Sequence, residues 1–95
     1  MKNIEGFSLD HGHSQVKVFG PERVQRILSA VKGAGHTTGL LAFYVKPNRG
    51  WHGQVALFVN EKQVLSASYG FNLKIRDRDA VLDAMVAKFE EVCKS

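Results

Sequence analysis

Residues 38–71 read TGLLAFYVKPNRGWHGQVALFVNEKQVLSASYGF, and this stretch decides the fold. It divides into three strand-like runs, Thr38 to Lys46, Gln54 to Asn60 and Gln63 to Phe71. The runs are rich in alternating β-branched and aromatic residues, which are typical of strands. Because the connections between them are short and polar, we expect an antiparallel three-stranded meander.

The alternation along these runs predicts two different sheet faces. One face is apolar and is expected to form the core, with Leu41, Phe43, Val45, Val55, Leu57 and Val59. The second face carries Leu40, Ala42, Tyr44, Ala56, Phe58, Ser66 and Ser68. If both helices pack on the core face, the second face is exposed and marks a dimer or partner interface. In the alternative interpretation, the N-terminal segment covers it.

Two helices flank the meander in the sequence. Pro21 is a favourable first helical residue, and the first helix is predicted to end near Lys32. Its apolar face is Val24, Ile27, Leu28 and Val31. The last helix, capped by Asp77 or Asp79, has a broad apolar arc of Val81, Leu82, Met85, Val86, Phe89, Val92 and Cys93.

The N-terminal part shows weaker patterns. Residues 1–14 are predicted to be irregular, and Gln15 to Phe19 fits a short strand. The predicted fold is therefore a single α+β domain over residues 1–95. Its element order is β-α-β-β-β-α, with an antiparallel sheet and two amphipathic helices.

Length, composition and charge restrict the class of protein to which this chain can belong. With 95 residues, 44% hydrophobic and 23% charged, the chain has room for one core. The single cysteine, Cys93, cannot form an internal disulfide, and no apolar stretch is long enough for a leader or a membrane span. We therefore expect a cytoplasmic protein without membrane contact. The net charge of +4 favours polyanionic partners modestly.

The leading candidate surface is the predicted loop from Lys46 to Gly53. It combines Lys46 and Arg49, which can meet phosphates or carboxylates, with the only tryptophan, Trp51, and with His52. A tryptophan on a loop offers a flat face for stacking on a base or for anchoring a protein partner. The alternative is that Trp51 folds back over the sheet edge.

A second basic stretch precedes the last helix. Lys74, Arg76 and Arg78 alternate there, and in extended geometry they would share one side and suit a phosphate backbone. The alternative is a solvated helix start in which Asp77 and Asp79 neutralise the bases.

Motifs for catalysis or metal binding are weak. His11 and His13 point the same way on an extended segment, and His36 or His52 could add a third nitrogen, but no carboxylate or cysteine pair supports a metal. Cys93 lies on an apolar helix arc, where a thiol is normally buried and inert. We therefore expect a non-enzymatic protein without cofactor or metal.

From Pro21 onward, the order helix, three strands, helix resembles that of double-stranded RNA-binding domains, with His52 in a comparable first hairpin. In this chain Arg76-Asp77-Arg78-Asp79 replaces the lysine-rich helix start of that family. Three strands followed by a helix are also similar to the sheet-reading DNA-binding domains of plant transcription factors and phage integrases.

Two hypotheses for function follow from these residues. The first is a small nucleic-acid-binding or regulatory module that uses Lys46, Arg49, Trp51, His52, Lys74, Arg76 and Arg78. The alternative is a protein-binding adaptor or inhibitor of a larger complex, of the kind that phages and mobile elements encode. Its anchors would be Trp51, Tyr44 and Phe58. A homodimer is compatible with both.

Overall fold

The structure is a computed structural model, and it describes residues 3–4, 6–10, 17–47, 51–70 and 78–94. It shows a mixed α+β domain, which confirms the predicted fold class. The strands are β1 (Asn3–Ile4), β2 (Phe7–Asp10), β3 (Gly39–Pro47), β4 (Trp51–Val59) and β5 (Lys62–Gly70). The helices are α1 (Pro21–Gly33) and α2 (Arg78–Lys94). The sheet has five strands in the order β1-β2-β3-β4-β5.

The meander of β3, β4 and β5 forms as the alternation predicts. In the antiparallel ladder Leu41 lies opposite Leu57, and Leu57 lies opposite Leu65, so apolar residues of adjacent strands share a face. Asn60 and Glu61, both at positive φ, make the turn between β4 and β5. Such turns match the right-handed twist of the paired strands.

The predicted loop from Lys46 to Gly53 is largely strand, which corrects the sequence-based boundary. The β3–β4 ladder continues through Lys46 opposite His52 to Pro47 opposite Trp51. Proline is tolerated here because it stands at the very end of a strand. Gly53 lies inside β4 and leaves room for the side chain of Met85, because a Cβ at this position would lie 3.2 Å from Cε of Met85.

The N-terminal predictions are wrong in two places. First, residues 1–14 were expected to be irregular, yet β1 and β2 form an antiparallel hairpin around Gly6. β2 also pairs in parallel with β3, Phe7 opposite Gly39, so the sheet is mixed and not purely antiparallel. Phe7 is fully buried, and this burial stabilises a strand that alternation alone indicated only weakly.

Second, the strand predicted at Gln15 to Phe19 is absent from the described part of that range, because residues 17–19 are helical. Phe19 is fully buried, and its ring centroid lies 5.1 Å from that of Phe43. Tertiary packing of Phe19 therefore overrides the weak β propensity of its neighbours. Gly20, at φ 85°, then separates this segment from α1, which begins at Pro21 as predicted.

Both helices pack on the same face of the sheet. The core contains the predicted strand face and the apolar stripes of both helices, and its largest fully buried side chains are Phe7, Phe19, Phe43, Phe89, Ile27, Leu28, Leu41, Leu57, Leu82 and Met85. Val59, Val92 and Cys93 are partly buried at its margin. Asp79 lies in the first turn of α2 and not at its cap, while Asp77 lies outside the described residues.

Ion pairs join the two helices. The Arg23 guanidinium donates to Asp83 at 2.8 Å, to Asp79 at 3.3 Å and to the carbonyl oxygen of Phe19 at 3.1 Å. Arg26 donates to Glu90 at 2.6 Å. The hydrogen bond to Asp83 raises the pKa of Arg23 above its ordinary value. In these pairs, charged side chains on the surfaces of the two helices bind one another. The bases and acids of the helix layer therefore offset one another.

Candidate functional site on the open face of the sheet

The sheet face opposite the helices is the main surface not used for the core among the described elements. We call it the open face; by register it includes Ser8, Asp10, Leu40, Ala42, Tyr44, Lys46, His52, Gln54, Ala56, Phe58, Ser66 and Ser68. The residues predicted for this second face all lie on it. The N-terminal strands β1 and β2 extend the sheet at its edge, and neither lies across this face.

The open face changes character from one end to the other. At one end Leu40 lies opposite Phe58, and both are partly buried. Small residues follow in the next row, where Ala42 lies opposite Ala56, which is 4% exposed. On β2, Asp10 lies opposite Ala42, so one acidic residue borders this apolar end.

The other end of the open face combines an aromatic ring, amide and hydroxyl groups, an imidazole and a lysine. Tyr44, 44% exposed, lies opposite Gln54, and in the next row Lys46 lies opposite His52. On the neighbouring strand, Ser68 lies opposite Gln54. Residues two apart on a strand are about 7 Å apart on one face. We call this group of Tyr44, Lys46, His52, Gln54 and Ser68 the basic end of the open face.

The three strands that carry the basic end, β3, β4 and β5, contain no acid to offset its charge; Asp10, on β2, lies opposite Ala42. β3, β4 and β5 include Lys46, His52 and Lys62 but neither Asp nor Glu. Glu61, in the turn between β4 and β5, lies at the opposite end of the ladder from Lys46. A negatively charged ligand at the basic end would therefore meet no carboxylate from these strands.

Both helices begin near this end of the sheet. Arg23, in the first turn of α1, pairs with Asp79 and Asp83 in the first two turns of α2, so the two helices start side by side. Met85 packs over Gly53, the residue after His52. Glu22 and Asp79 lie in the first turns and offset the partial positive charge of the helix N-terminal ends, so the charge of the basic end comes from its own residues.

The seven residues predicted from sequence have different outcomes. Lys46 and His52 come together as a cross-strand pair, and Arg78 is the first residue of α2. Trp51 lies in β4 opposite Pro47. It comes one residue before His52 and is therefore not part of the Lys46–His52 pair. Arg49, Lys74 and Arg76 lie outside the described residues, so their part in the predicted surface stays a prediction.

The sequence alone did not group all the residues of the basic end. Gln54 was not singled out, and Tyr44 was assigned to the second sheet face but not connected with Lys46 and His52. The signal that could have joined them is the hairpin register. Once Lys46 pairs with His52, Tyr44 and Gln54 must be the next pair on the same face.

Metal and thiol chemistry receive little support from the described residues. Within the described ranges, no group of three or more His, Cys, Asp and Glu side chains is placed to hold a metal ion. His11 and His13 lie outside those ranges. Cys93 is half-buried, where burial and then the charge of Glu90 raise its pKa. A raised pKa lowers the thiolate fraction, so this thiol is a poor nucleophile near neutral pH.

Two open grooves lie in the helix layer. One, of about 570 Å³, runs between α1 and α2 and is lined in part by Ser29, Ala30 and Cys93. The other, of about 470 Å³, lies beside Pro21 and Arg23. Arg26 lines both grooves, and it is engaged by Glu90. Among the described residues that line the two grooves, no recognisable catalytic arrangement of side chains is present.

Comparison of the chain with protein-family models, with curated proteins and with solved structures finds no match. In the part of the chain that the structure describes, neither helix has the length and apolar character needed to cross a bilayer.

Proposed function

We propose that this protein is a small, non-enzymatic nucleic-acid-binding module that receives a single strand on the basic end of the open face. The observation that carries the proposal is the adjacency of two cross-strand pairs, Tyr44 with Gln54 and Lys46 with His52, on strands without acids. Flat sheet faces with aromatic and basic side chains are a recurrent way of binding single strands.

Each member of the basic end has a defined task in this proposal. The ring of Tyr44 stacks on a base, and Lys46 and His52 lie on the same face, where they meet the phosphate backbone. Gln54 and Ser68, both exposed, offer donors and acceptors to base edges. Arg49, Lys74, Arg76 and Arg78 would extend the positive surface, as the sequence predicts.

The test is a titration of single-stranded DNA and RNA oligonucleotides, with duplexes for comparison, followed through Trp51 emission at two salt concentrations. We expect Tyr44→Ala to weaken single-strand binding about 5- to 100-fold, because stacking on an aromatic contributes about 1–3 kcal/mol per base. Tyr44→Phe should retain most of the affinity. Lys46→Gln should lower the salt dependence by about one phosphate contact.

Val64→Ala is the matched control. Val64 is 40% exposed, close to the value for Tyr44, but lies on β5 away from the basic end. The proposal fails if wild-type protein shows no salt-weakened binding, or if Tyr44→Ala and Lys46→Gln bind as tightly as wild type. A loss in Val64→Ala equal to that in Tyr44→Ala would also contradict it.

A second candidate function is protein binding, and the apolar end of the open face favours it. Leu40, Phe58, Ala42 and Ala56 form an apolar patch of the kind found at the centres of protein interfaces, with Asp10 at its margin. In affinity capture from a host lysate, we expect Phe58→Ser to lose a protein partner whose binding is nearly independent of salt, while Gln25→Ala, at an exposed position of α1, keeps it. Capture of nucleic acid alone would contradict this candidate.

A further inference from the structure

The outer edge of β5 is a second surface whose properties suggest an interaction. β5 is the last strand of the described sheet and pairs on one side with β4. No other strand in the described ranges pairs with its outer side. With nine residues at about 3.3 Å each, this edge is about 30 Å long. Its outward N–H and C=O groups can continue the sheet with another strand.

The two edges of the sheet differ in how they are protected against such pairing. β1, at the opposite edge, has two residues and is too short to template a ladder. β5 contains no proline, and its one charged residue is Lys62, at its start. A register shift in the ladder falls between Leu57 and Phe58, near that start. From Leu65 to Gly70 the edge is regular and uncharged.

The two edge strands differ in length, and this difference determines which edge of a second copy can pair along β5. Head-to-tail addition of β5 to β1 of another copy would give a ladder of two residues, whereas β5 against β5 pairs the whole segment from Leu65 to Gly70. An antiparallel pair around Ser66 or Ala67 opposes no like charges. Such an interface has two-fold symmetry and closes as a dimer.

The geometry points to a second copy of this chain as the occupant of the β5 edge. The two β5 strands pair antiparallel about a two-fold axis at Ser66 or Ala67, so that the sheets of two copies become one continuous sheet. Both open faces then lie on the same side of it, and this arrangement does not depend on what the open face binds.

Light scattering during size exclusion tests the inference. Wild-type protein over a concentration series should approach twice the chain mass of 10.5 kDa. The double variant Ser66→Lys and Ser68→Lys places like charges opposite each other for either position of the axis. It should raise the dimer dissociation constant about tenfold or more. The matched control, Ser66→Thr and Ser68→Thr, keeps these positions neutral and should remain dimeric.

Cross-linking gives a readout that does not depend on the lysine variant folding. In a Cys93→Ser background, Ser66→Cys with Ser68→Cys should form an intermolecular disulfide on mild oxidation, because residues opposite each other in a ladder have Cβ atoms about 5 Å apart. Monomeric wild type at every concentration would overturn the inference. So would a dimer that survives both lysines, or one that Phe58→Lys dissociates instead.

Discussion

Phe43→Ala is expected to destabilise the protein by about 3–5 kcal/mol. Phe43 is fully buried in β3, where its ring packs against that of Phe19 at 5.1 Å between centroids and 58° between planes. Truncation removes the apolar transfer free energy and leaves a cavity beneath both helices. Since small domains have total stabilities of about 5–15 kcal/mol, this variant would lose a large part of its stability.

Urea denaturation followed by far-ultraviolet circular dichroism measures this change. With a slope of about 1–3 kcal/mol per molar urea, the midpoint should fall by roughly 2 M. The control is Tyr44→Ala at the next position of the same strand. Its side chain is 44% exposed on the open face, so its loss should stay within about 1 kcal/mol. Equal losses in the two variants would show that the assigned faces of β3 are wrong.

Gly6→Ala is expected to cost roughly 2 kcal/mol or more, through backbone conformation and steric overlap together. Gly6 has φ 90°, and a Cβ built there would lie 2.6 Å from the carbonyl oxygen of Thr37. Because this neighbour is backbone, it cannot move aside by changing rotamer. The carbonyl oxygen of Gly6 also accepts a hydrogen bond from the Gly39 amide at 3.3 Å, which displacement of the turn would break.

Gly33→Ala is the matched control and should change stability in the opposite direction. Gly33 is the last residue of α1, and a Cβ built there meets no atom within 4 Å. Alanine restricts the unfolded chain, so a gain of about 0.4–1 kcal/mol is expected. In thermal unfolding, the melting temperature should fall by about 10 °C for Gly6→Ala and rise by a few degrees for Gly33→Ala. Shifts of the same sign would contradict this account.

The meander and both helices could be predicted because their signals are local. Alternation placed Leu41, Phe43 and Val55 on one face, and the helical period placed Ile27 and Phe89 in the core; all five are fully buried. These patterns depend on residues two to four positions apart, and the final packing agrees with them.

The N-terminal strands could not be predicted in the same way. The position of β2 depends on parallel pairing with β3, Phe7 opposite Gly39, and no short-range period reports such a contact. Residues 17–19 are helical because Phe19 is buried against Phe43, which is again a contact between distant parts of the chain. Local propensity is weak where long-range packing decides.

For the candidate site, the sequence suggested residue types, and the register of the strands was needed to group them. Lys46 and His52 were chosen as a charge and a ring on a loop, yet the hairpin places them directly opposite each other. Tyr44 joins them because strands bring residues two apart to the same face. The partners of this surface remain proposals, since site chemistry and not fold determines function.

The parallel pairing of β2 with β3 also has a kinetic consequence. The β3–β4 hairpin closes across the short connection between Pro47 and Trp51, whereas Phe7 meets Gly39 only after the chain has closed a loop that includes α1. The entropy lost in closing a loop grows with its length, and non-local contacts slow folding. The hairpin of β3 and β4 and the neighbouring β5 can therefore assemble early, and Phe7 completes the core when β2 docks last.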